Sequence, residues 1–170
     1  MEQVKKEKIQ PNKRMIAVIA AVLLVAVIVI VIAVVSDQKP KKQSISMPFG
    51  VEFGVSESEM ISLMEKNGFT YDGMAEISDT TAAYQFTGKA SLYGGTTSKV
   101  IIAAASGTIN YQVTYPKDQL EDIRKAVTEQ YGEPKDMGEG LIWEGEKCVM
   151  ILYSSVQNPS YCMLHIALSK

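Results

Sequence analysis

Residues 98–115 read SKVIIAAASGTINYQVTY and predict two β-strands that form a hairpin. Over 98–105 the apolar side chains fall on both faces, which is typical of a strand buried on both sides. Over 107–115 apolar and polar residues alternate, which predicts a strand with one buried and one wet face. Ser106-Gly107 suits the tight turn between them. Consecutive strands joined by short turns predict an antiparallel sheet.

An amphipathic helix is predicted on each side of this hairpin. The first spans about 57–67, because Ser56 and Glu59 have capping-box spacing and Asn67-Gly68 supplies a terminator. The second follows Asp118, whose spacing to Glu121 predicts a similar cap. The apolar positions that recur at helical spacing are Met60, Leu63 and Met64 in the first helix and Leu120, Ile123, Val127 and Tyr131 in the second.

Further strands are predicted at 81–87, 140–144, 147–154 and 160–168. The fold class is therefore α+β, with an antiparallel sheet of about six to seven strands and two helices packed on one face. Both halves begin with a helix and continue in strands, so we also consider a degenerate tandem repeat.

A long apolar segment lies near the N-terminus. Residues 15–35 (MIAVIAAVLLVAVIVIVIAVV) contain no polar side chain. As a helix this run is about 31 Å long, which matches the hydrocarbon core of a bilayer. The competing interpretation is a signal peptide, whose apolar region is usually about 7–15 residues. We predict a transmembrane signal-anchor helix that binds the lipid bilayer through residues 15–35, and a chain that crosses the membrane once.

Basic residues indicate the orientation of this helix, since five of them precede it within 1–14 and three follow it within 36–48. We predict a cytoplasmic tail at 1–14, a polar linker at 36–48 and an extracytoplasmic domain at 49–170. The localisation is then the cell membrane, with the N-terminus cytoplasmic and the C-terminal domain outside. Residues 47–170 carry sixteen acidic and nine basic residues, and this excess of negative charge argues against a nucleic-acid partner.

Cys148 shares a strand face with Met150 and Leu152, and Cys162 shares one with Leu164, Ile166 and Leu168. We therefore expect both thiols in the core. A turn centred near Gln157 would separate them by four strand positions, or about 13 Å, which is too far for a disulfide. A different register would allow the bond, and that alternative remains open. His165 is the only histidine and lies on the face opposite the cysteines, where we expect a structural role.

No motif in the sequence names a reaction, and we predict no catalytic, cofactor-binding or metal-binding residue. The acidic residues of 133–146 lack the spacing of a calcium-binding loop. The face of the last two strands opposite the cysteines is unexpectedly apolar. We favour its cover from within the chain, for example by the first helix, over a second copy or a partner protein. The apolar residues of this face are Val149, Ile151, Tyr153, Tyr161, Met163 and Ala167.

Three stretches carry a resemblance to a known group of domains. The first stretch, 53–69 (FGVSESEMISLMEKNGF), looks like the helix opening of small exported α+β domains. The second stretch, LEDIRKAVTEQYGEP, followed by IWEG and VMILYS, is similar to the repeated half of such domains. The group is typified by the β-lactamase inhibitor protein and the small outer-membrane-assembly lipoproteins. The resemblance implies a non-enzymatic domain that binds other proteins through its sheet face. The chain departs from the lipoproteins because it has no lipid-attachment cysteine.

We therefore expect a membrane-anchored extracytoplasmic module that binds a protein or an envelope component, or self-associates, through an apolar sheet face. A membrane-tethered surface hydrolase or transferase is the first alternative, and it requires a pocket with converging polar groups, for example around His165 with a carboxylate. A cytosol-facing regulatory domain is the second alternative.

Overall fold

The computed structural model describes residues 45, 47–78, 81–105 and 108–169. Its two helices are α1, Glu57–Lys66, and α2, Leu120–Tyr131. Its strands, in chain order from β1 to β10, are Phe69–Ser78, Thr81–Gly88, Ser91–Leu92, Gly95–Thr96, Lys99–Ala105, Thr108–Pro116, Lys135–Asp136, Leu141–Glu144, Cys148–Ser154 and Tyr161–Ser169. The α+β class and the antiparallel sheet are confirmed.

Eight strands form the main sheet, in the order β1-β2-β5-β6-β10-β9-β8-β7, and β3 pairs with β4 separately. The prediction of six to seven strands was too low. β1, Phe69–Ser78, was not among the predicted strands, and β7 has only two residues, too few to show alternation in the sequence. The order runs inward from β1 through β6 and outward again from β10 to β7. Each helix thus precedes four strands of the main sheet, and the two sets meet where β6 pairs antiparallel with β10.

The predicted hairpin is formed by β5 and β6, which pair from Lys99 and Thr114 to Ala105 and Thr108. Both faces of β5 are buried, as its apolar pattern predicted. Val100 and Ile102 are 0% exposed on one face, and Ile101 and Ala103 are 6% and 3% exposed on the other. The turn predicted at Ser106-Gly107 lies outside the described residues.

The two helices begin differently. Ser56 caps α1, because its hydroxyl oxygen accepts a hydrogen bond of 3.3 Å from the backbone N–H of Glu59. The cap predicted at Asp118 is wrong. A 3-10 turn, Lys117–Gln119, precedes α2 there. The N-cap residue of α2 is Gln119, and its side chain makes no capping hydrogen bond. The Gln119 side chain is engaged elsewhere, since its Oε1 accepts a hydrogen bond of 2.6 Å from the backbone N–H of Thr96.

The core lies between the helices and one face of the sheet. Met60 and Met64 of α1 and Ile123 and Val127 of α2 are at most 4% exposed, and all four belong to the main core cluster. The sheet contributes the side chains that share this face, which include Phe86, Val100, Ile102, Tyr111, Val113, Tyr115, Trp143, Met150, Leu152, Leu164 and Ile166. Both helices therefore pack on the same face of the sheet.

The small hairpin of β3 and β4 packs against α2 and has no space for a larger residue at Gly95. A Cβ atom at Gly95 would lie 2.9 Å from Ile123 Cγ1 and 2.9 Å from Tyr115 Cδ1. We predict that Gly95→Ala lowers the free energy of unfolding by about 1–3 kcal/mol, because two buried side chains must shift. Urea titration measures this change. Ser91→Ala, an exposed position on the same hairpin, is the control and should cost under about 0.5 kcal/mol.

Cys148 and Cys162 are buried and do not form a disulfide with each other, as predicted. The predicted register was wrong by two positions. Cys148 lies opposite Leu168, and Cys162 lies opposite Ser154, because the turn between β9 and β10 centres on Asn158. The two cysteines are therefore six strand positions apart, about 20 Å. Burial raises the pKa of the Cys162 thiol, which opposes thiolate chemistry at this site.

The predicted anchor at 15–35, the tail at 1–14 and the linker up to residue 44 lie outside the described residues. Within the part of the chain that the structure describes, neither helix is long and apolar enough to cross a bilayer. Ile45 and Val51, at the start of the described chain, are 8% and 1% exposed and join the core. The described part of the domain thus begins with residues that pack against its core.

Candidate binding face

The open face is the name used here for the sheet face opposite α1 and α2. Cover of this face by the first helix does not occur, because the buried residues of α1 belong to the core on the other side. Strand alternation and register assign side chains to it. From β2 to β8 its residues are Ala83, Gln85 and Thr87, then Lys99, Ile101 and Ala103, then Asn110, Gln112 and Thr114, then Tyr161, Met163, His165 and Ala167, then Val149, Ile151 and Tyr153, then Ile142 and Glu144.

One half of the open face is apolar, and we call it the apolar patch. It is made by β9 and β10, whose alternate residues are each half-buried: Val149, Ile151, Tyr153, Tyr161, Met163 and Ala167. Ile142 extends it onto β8 and is 5% exposed. The sequence prediction that this face is apolar is confirmed by the register. Half-buried apolar side chains on a face that neither helix covers are typical of a surface that binds another molecule.

At the centre of the open face lies a hydrogen-bonded group that we call the central cluster: Gln112, Tyr153, Met163 and His165. Tyr153 Oη lies 2.8 Å from His165 Nε2, and the same hydroxyl donates to Met163 Sδ at 3.4 Å. Gln112 Nε2 also donates to Met163 Sδ at 3.4 Å. The cluster joins three strands, because Gln112 pairs with His165 across β6 and β10, and Met163 pairs with Tyr153 across β10 and β9.

Two members of the central cluster are almost fully buried. Gln112 and His165 are each 5% exposed, and Gln112 Oε1 has no hydrogen-bond partner among the described residues. An unpaired buried acceptor costs about 1–3 kcal/mol relative to a paired one. A donor that reached this oxygen after a small rearrangement of the amide would recover part of that cost. Gln112 Oε1 is therefore a buried acceptor at the centre of the open face whose hydrogen-bonding capacity is unused among the described residues.

Burial lowers the pKa of His165 to about 4. The imidazole is therefore neutral at neutral pH and can act as donor at one nitrogen and acceptor at the other. Burial also raises the pKa of Tyr153 to about 12, so the hydroxyl stays protonated. The described hydrogen bond of the His165 ring joins Nε2 to the Tyr153 hydroxyl.

The charged groups of the open face lie at its two sides. Asp72 is at a bulge in β1, where its carboxylate accepts hydrogen bonds from Thr87 Oγ1 at 3.2 Å and from Gln85 Nε2 at 3.5 Å. Burial lowers the pKa of the nearby Lys99, and Asp72 opposes that shift. On the other side Lys135 Nζ lies 3.1 Å from Glu144 Oε1. The described charges of this face therefore balance, although the domain as a whole is acidic.

The remaining candidates from the sequence are dispersed. Glu144 pairs with Lys135, Asp136 accepts a hydrogen bond from the backbone N–H of Gly138, and the other acidic residues of 133–146 are exposed. Over 45–169, leaving out the positions that are not described, no group of three or more His, Cys, Asp or Glu residues could hold a metal ion. Sequence reasoning missed the central cluster. The positions of Gln112, Tyr153 and His165 were known, but their contact depends on the register of three strands.

No protein-family model, no curated protein and no solved structure matches this chain.

Proposed function

We propose that this chain is a membrane-anchored extracytoplasmic module that binds a protein partner through the open face. The observation that carries the proposal is the apolar patch, which lies on the sheet face opposite both helices and shares Tyr153 and Met163 with the central cluster. A core of buried apolar residues with polar groups at its margin is the usual composition of a protein-binding surface. Aromatic and methionine side chains such as Tyr153, Tyr161 and Met163 are enriched there.

The anchor and its orientation form the second part of the proposal. The run 15–35 has the length and composition of a membrane-spanning helix. Only nine residues separate its end from Ile45, and an extended chain of that length spans at most about 30 Å. Such a tether would hold the domain close to the bilayer and raise the local concentration of any partner in the same membrane.

The arrangement of the strands is consistent with a degenerate tandem repeat, which is the finer fold proposal. Each helix is followed by four strands of the main sheet, and the two sets join at β6 and β10. The resemblance to β-lactamase-inhibitor-type domains implies this same organisation and implies protein binding through the sheet. Both points support the proposed function without naming a partner.

Site-specific photocrosslinking tests the binding surface directly. We predict that a photoreactive residue at Ile151, in the centre of the apolar patch, forms a discrete crosslinked product in native membranes. The matched control is Lys125, whose side chain is 77% exposed on the helix side of the domain. Products at both positions, or at neither, would contradict a specific role of the open face. A product of twice the chain mass would identify the partner as a second copy.

A charge introduced into the apolar patch supplies the complementary test. Ile151→Lys should abolish the crosslink of a probe at Val149, because a lysine ammonium loses hydration at a desolvated contact. Lys125→Glu should leave that crosslink unchanged. The thermal midpoint of each variant shows whether a lost crosslink reflects lost folding.

Protease accessibility distinguishes the orientation from the cytosol-facing alternative. In cells that keep an intact cell membrane but have lost the envelope layers outside it, added protease should digest 49–170 and spare the tail at 1–14. Protection of the domain until the cells are lysed would favour a cytosol-facing regulatory domain. The hydrolase alternative has gained no supporting observation, because the described hydrogen bond of His165 goes to Tyr153.

A further inference from the structure

The sulfur atom of Met163 has an unusual environment for a thioether. It accepts two hydrogen bonds, each of 3.4 Å, from Gln112 Nε2 and from Tyr153 Oη. A thioether sulfur is a weak acceptor, and it gains little from two donors. The donors belong to strands on either side of β10, so the sheet register holds them in place.

A sulfoxide oxygen at the same position would use these donors better. Oxidation of methionine turns an apolar thioether into a polar group with a strong acceptor oxygen. We propose that Met163 is an oxidation site, at which a peroxide forms a methionine sulfoxide that Gln112 and Tyr153 hold by hydrogen bonds. The inference concerns this residue and does not depend on the proposed function.

The reaction requires only a peroxide as co-reactant. A lone pair of the sulfur attacks one peroxide oxygen, the sulfur–oxygen bond forms and the oxygen–oxygen bond breaks. Sulfur loses two electrons, and with hydrogen peroxide the departing oxygen takes the remaining protons and leaves as water. The product therefore differs from the thioether by one oxygen atom.

The central cluster can supply the hydrogens that the product needs. Tyr153 has a single hydroxyl proton, which it can direct to the new oxygen. His165 Nε2 lies 2.8 Å from that hydroxyl and, in the Nε2–H tautomer, donates to the tyrosine oxygen in turn. The Gln112 amide contributes its own N–H. No group of the cluster has to change its charge.

Exposure of the residue separates Met163 from the core methionines of the described chain, and Met47, which is also half-buried, has no described hydrogen bond to its sulfur atom. Met163 is half-buried on the open face, whereas Met60, Met64 and Met150 are at most 4% exposed in the core. Met74 and Met137 are 42% and 57% exposed, and no hydrogen bond to their sulfur atoms is described. Met163 therefore combines partial exposure of the residue with two donors at its sulfur atom.

Peroxide treatment of the full-length protein in mild detergent, followed by peptide mass spectrometry, tests the first step. A Met74→Leu, Met137→Leu background removes the two most exposed methionines of the described chain. We expect a gain of one oxygen at Met163 while the protein is folded, and none at Met60, Met64 or Met150. Unmodified Met163 at the time when Met137 of the parent protein is fully oxidised would overturn the proposal.

Thermal unfolding of the oxidised protein tests the second step. In the parent protein, oxidation should leave the thermal midpoint unchanged or raise it. The Met163→Leu variant, oxidised in the same way, gives the change in midpoint that is caused by oxidation of other residues. In Tyr153→Phe, oxidation should lower the midpoint by about 2–4 °C, the equivalent of one lost hydrogen bond in a chain of this size. Gln112→Leu provides a second donor variant if Tyr153→Phe does not fold. An equal fall on oxidation in the parent and in the donor variants would show that the sulfoxide is not held.

Discussion

Acidification from pH 7 to pH 4 should destabilise the folded domain by roughly 3 kcal/mol through His165 alone. The imidazole has a pKa of about 4 in the folded state, because it is 5% exposed in the central cluster. In the unfolded chain its pKa is about 6.5. Below pH 6.5 the unfolded state therefore binds a proton that the folded state does not, and stability falls as the pH falls until about pH 4.

Protonation of His165 would place a positive charge inside the central cluster. The Tyr153 hydroxyl donates its proton to Met163 Sδ and accepts from Nε2–H, so the added proton goes to Nδ1 of the same ring. The groups across the neighbouring strands, Gln112 and Ile151, carry no charge that could compensate the cation. Hydration of the cation thus requires exposure of the ring, which means opening the centre of the open face.

Urea titrations at pH 7 and at pH 4 measure this effect. His165→Gln is the control, since it keeps a polar side chain but does not titrate, and the carboxylates titrate equally in both proteins. The chain has one histidine, so the difference between the two pH dependences belongs to His165. Parallel pH dependences in the two proteins would show that the imidazole is not buried in the folded state.

Replacement of Ile123 by alanine should cost about 2–5 kcal/mol of the free energy of unfolding. Ile123 is 0% exposed in the first turns of α2, in the main core cluster, and its Cγ1 borders the site of Gly95. Removing its side chain leaves a cavity under the hairpin of β3 and β4. Rigid neighbours on the sheet, such as Tyr115, can fill this cavity only in part.

Lys125→Ala is the matched control for this prediction, because it lies on the same helix with its side chain 77% exposed. Its ion pair with Glu129, at 3.9 Å between solvent-exposed groups, contributes little. We expect a cost below about 0.5 kcal/mol. Similar losses for the two variants in urea titrations would mean that α2 packs on the sheet through a different face.

Local signals in the sequence located most of the elements. A continuous apolar run found β5, alternation found β6, and the helical spacing of Ile123 and Val127 found the buried face of α2. The cap at Ser56 was predicted because capping involves residues three positions apart. The cap at Asp118 failed because a 3-10 turn delays the start of α2, and the energy difference between these starts is too small to be recognised from residue types.

The sequence by itself determined the fold class, the apolar face of the last strands and the burial of both cysteines, because each depends on residue type and on periods of two or 3.6 residues. The helical pattern did not show which of two adjacent apolar residues is the more deeply buried. In the structure Leu63 is half-buried, whereas Met64 is 0% exposed. Only the tertiary structure decided the register of β9 with β10 and the contact of Gln112, Tyr153 and His165. The physical reason is that a slip of two residues keeps every side chain on its face, so hydrophobic patterning does not oppose it, yet it changes every partner across the strands.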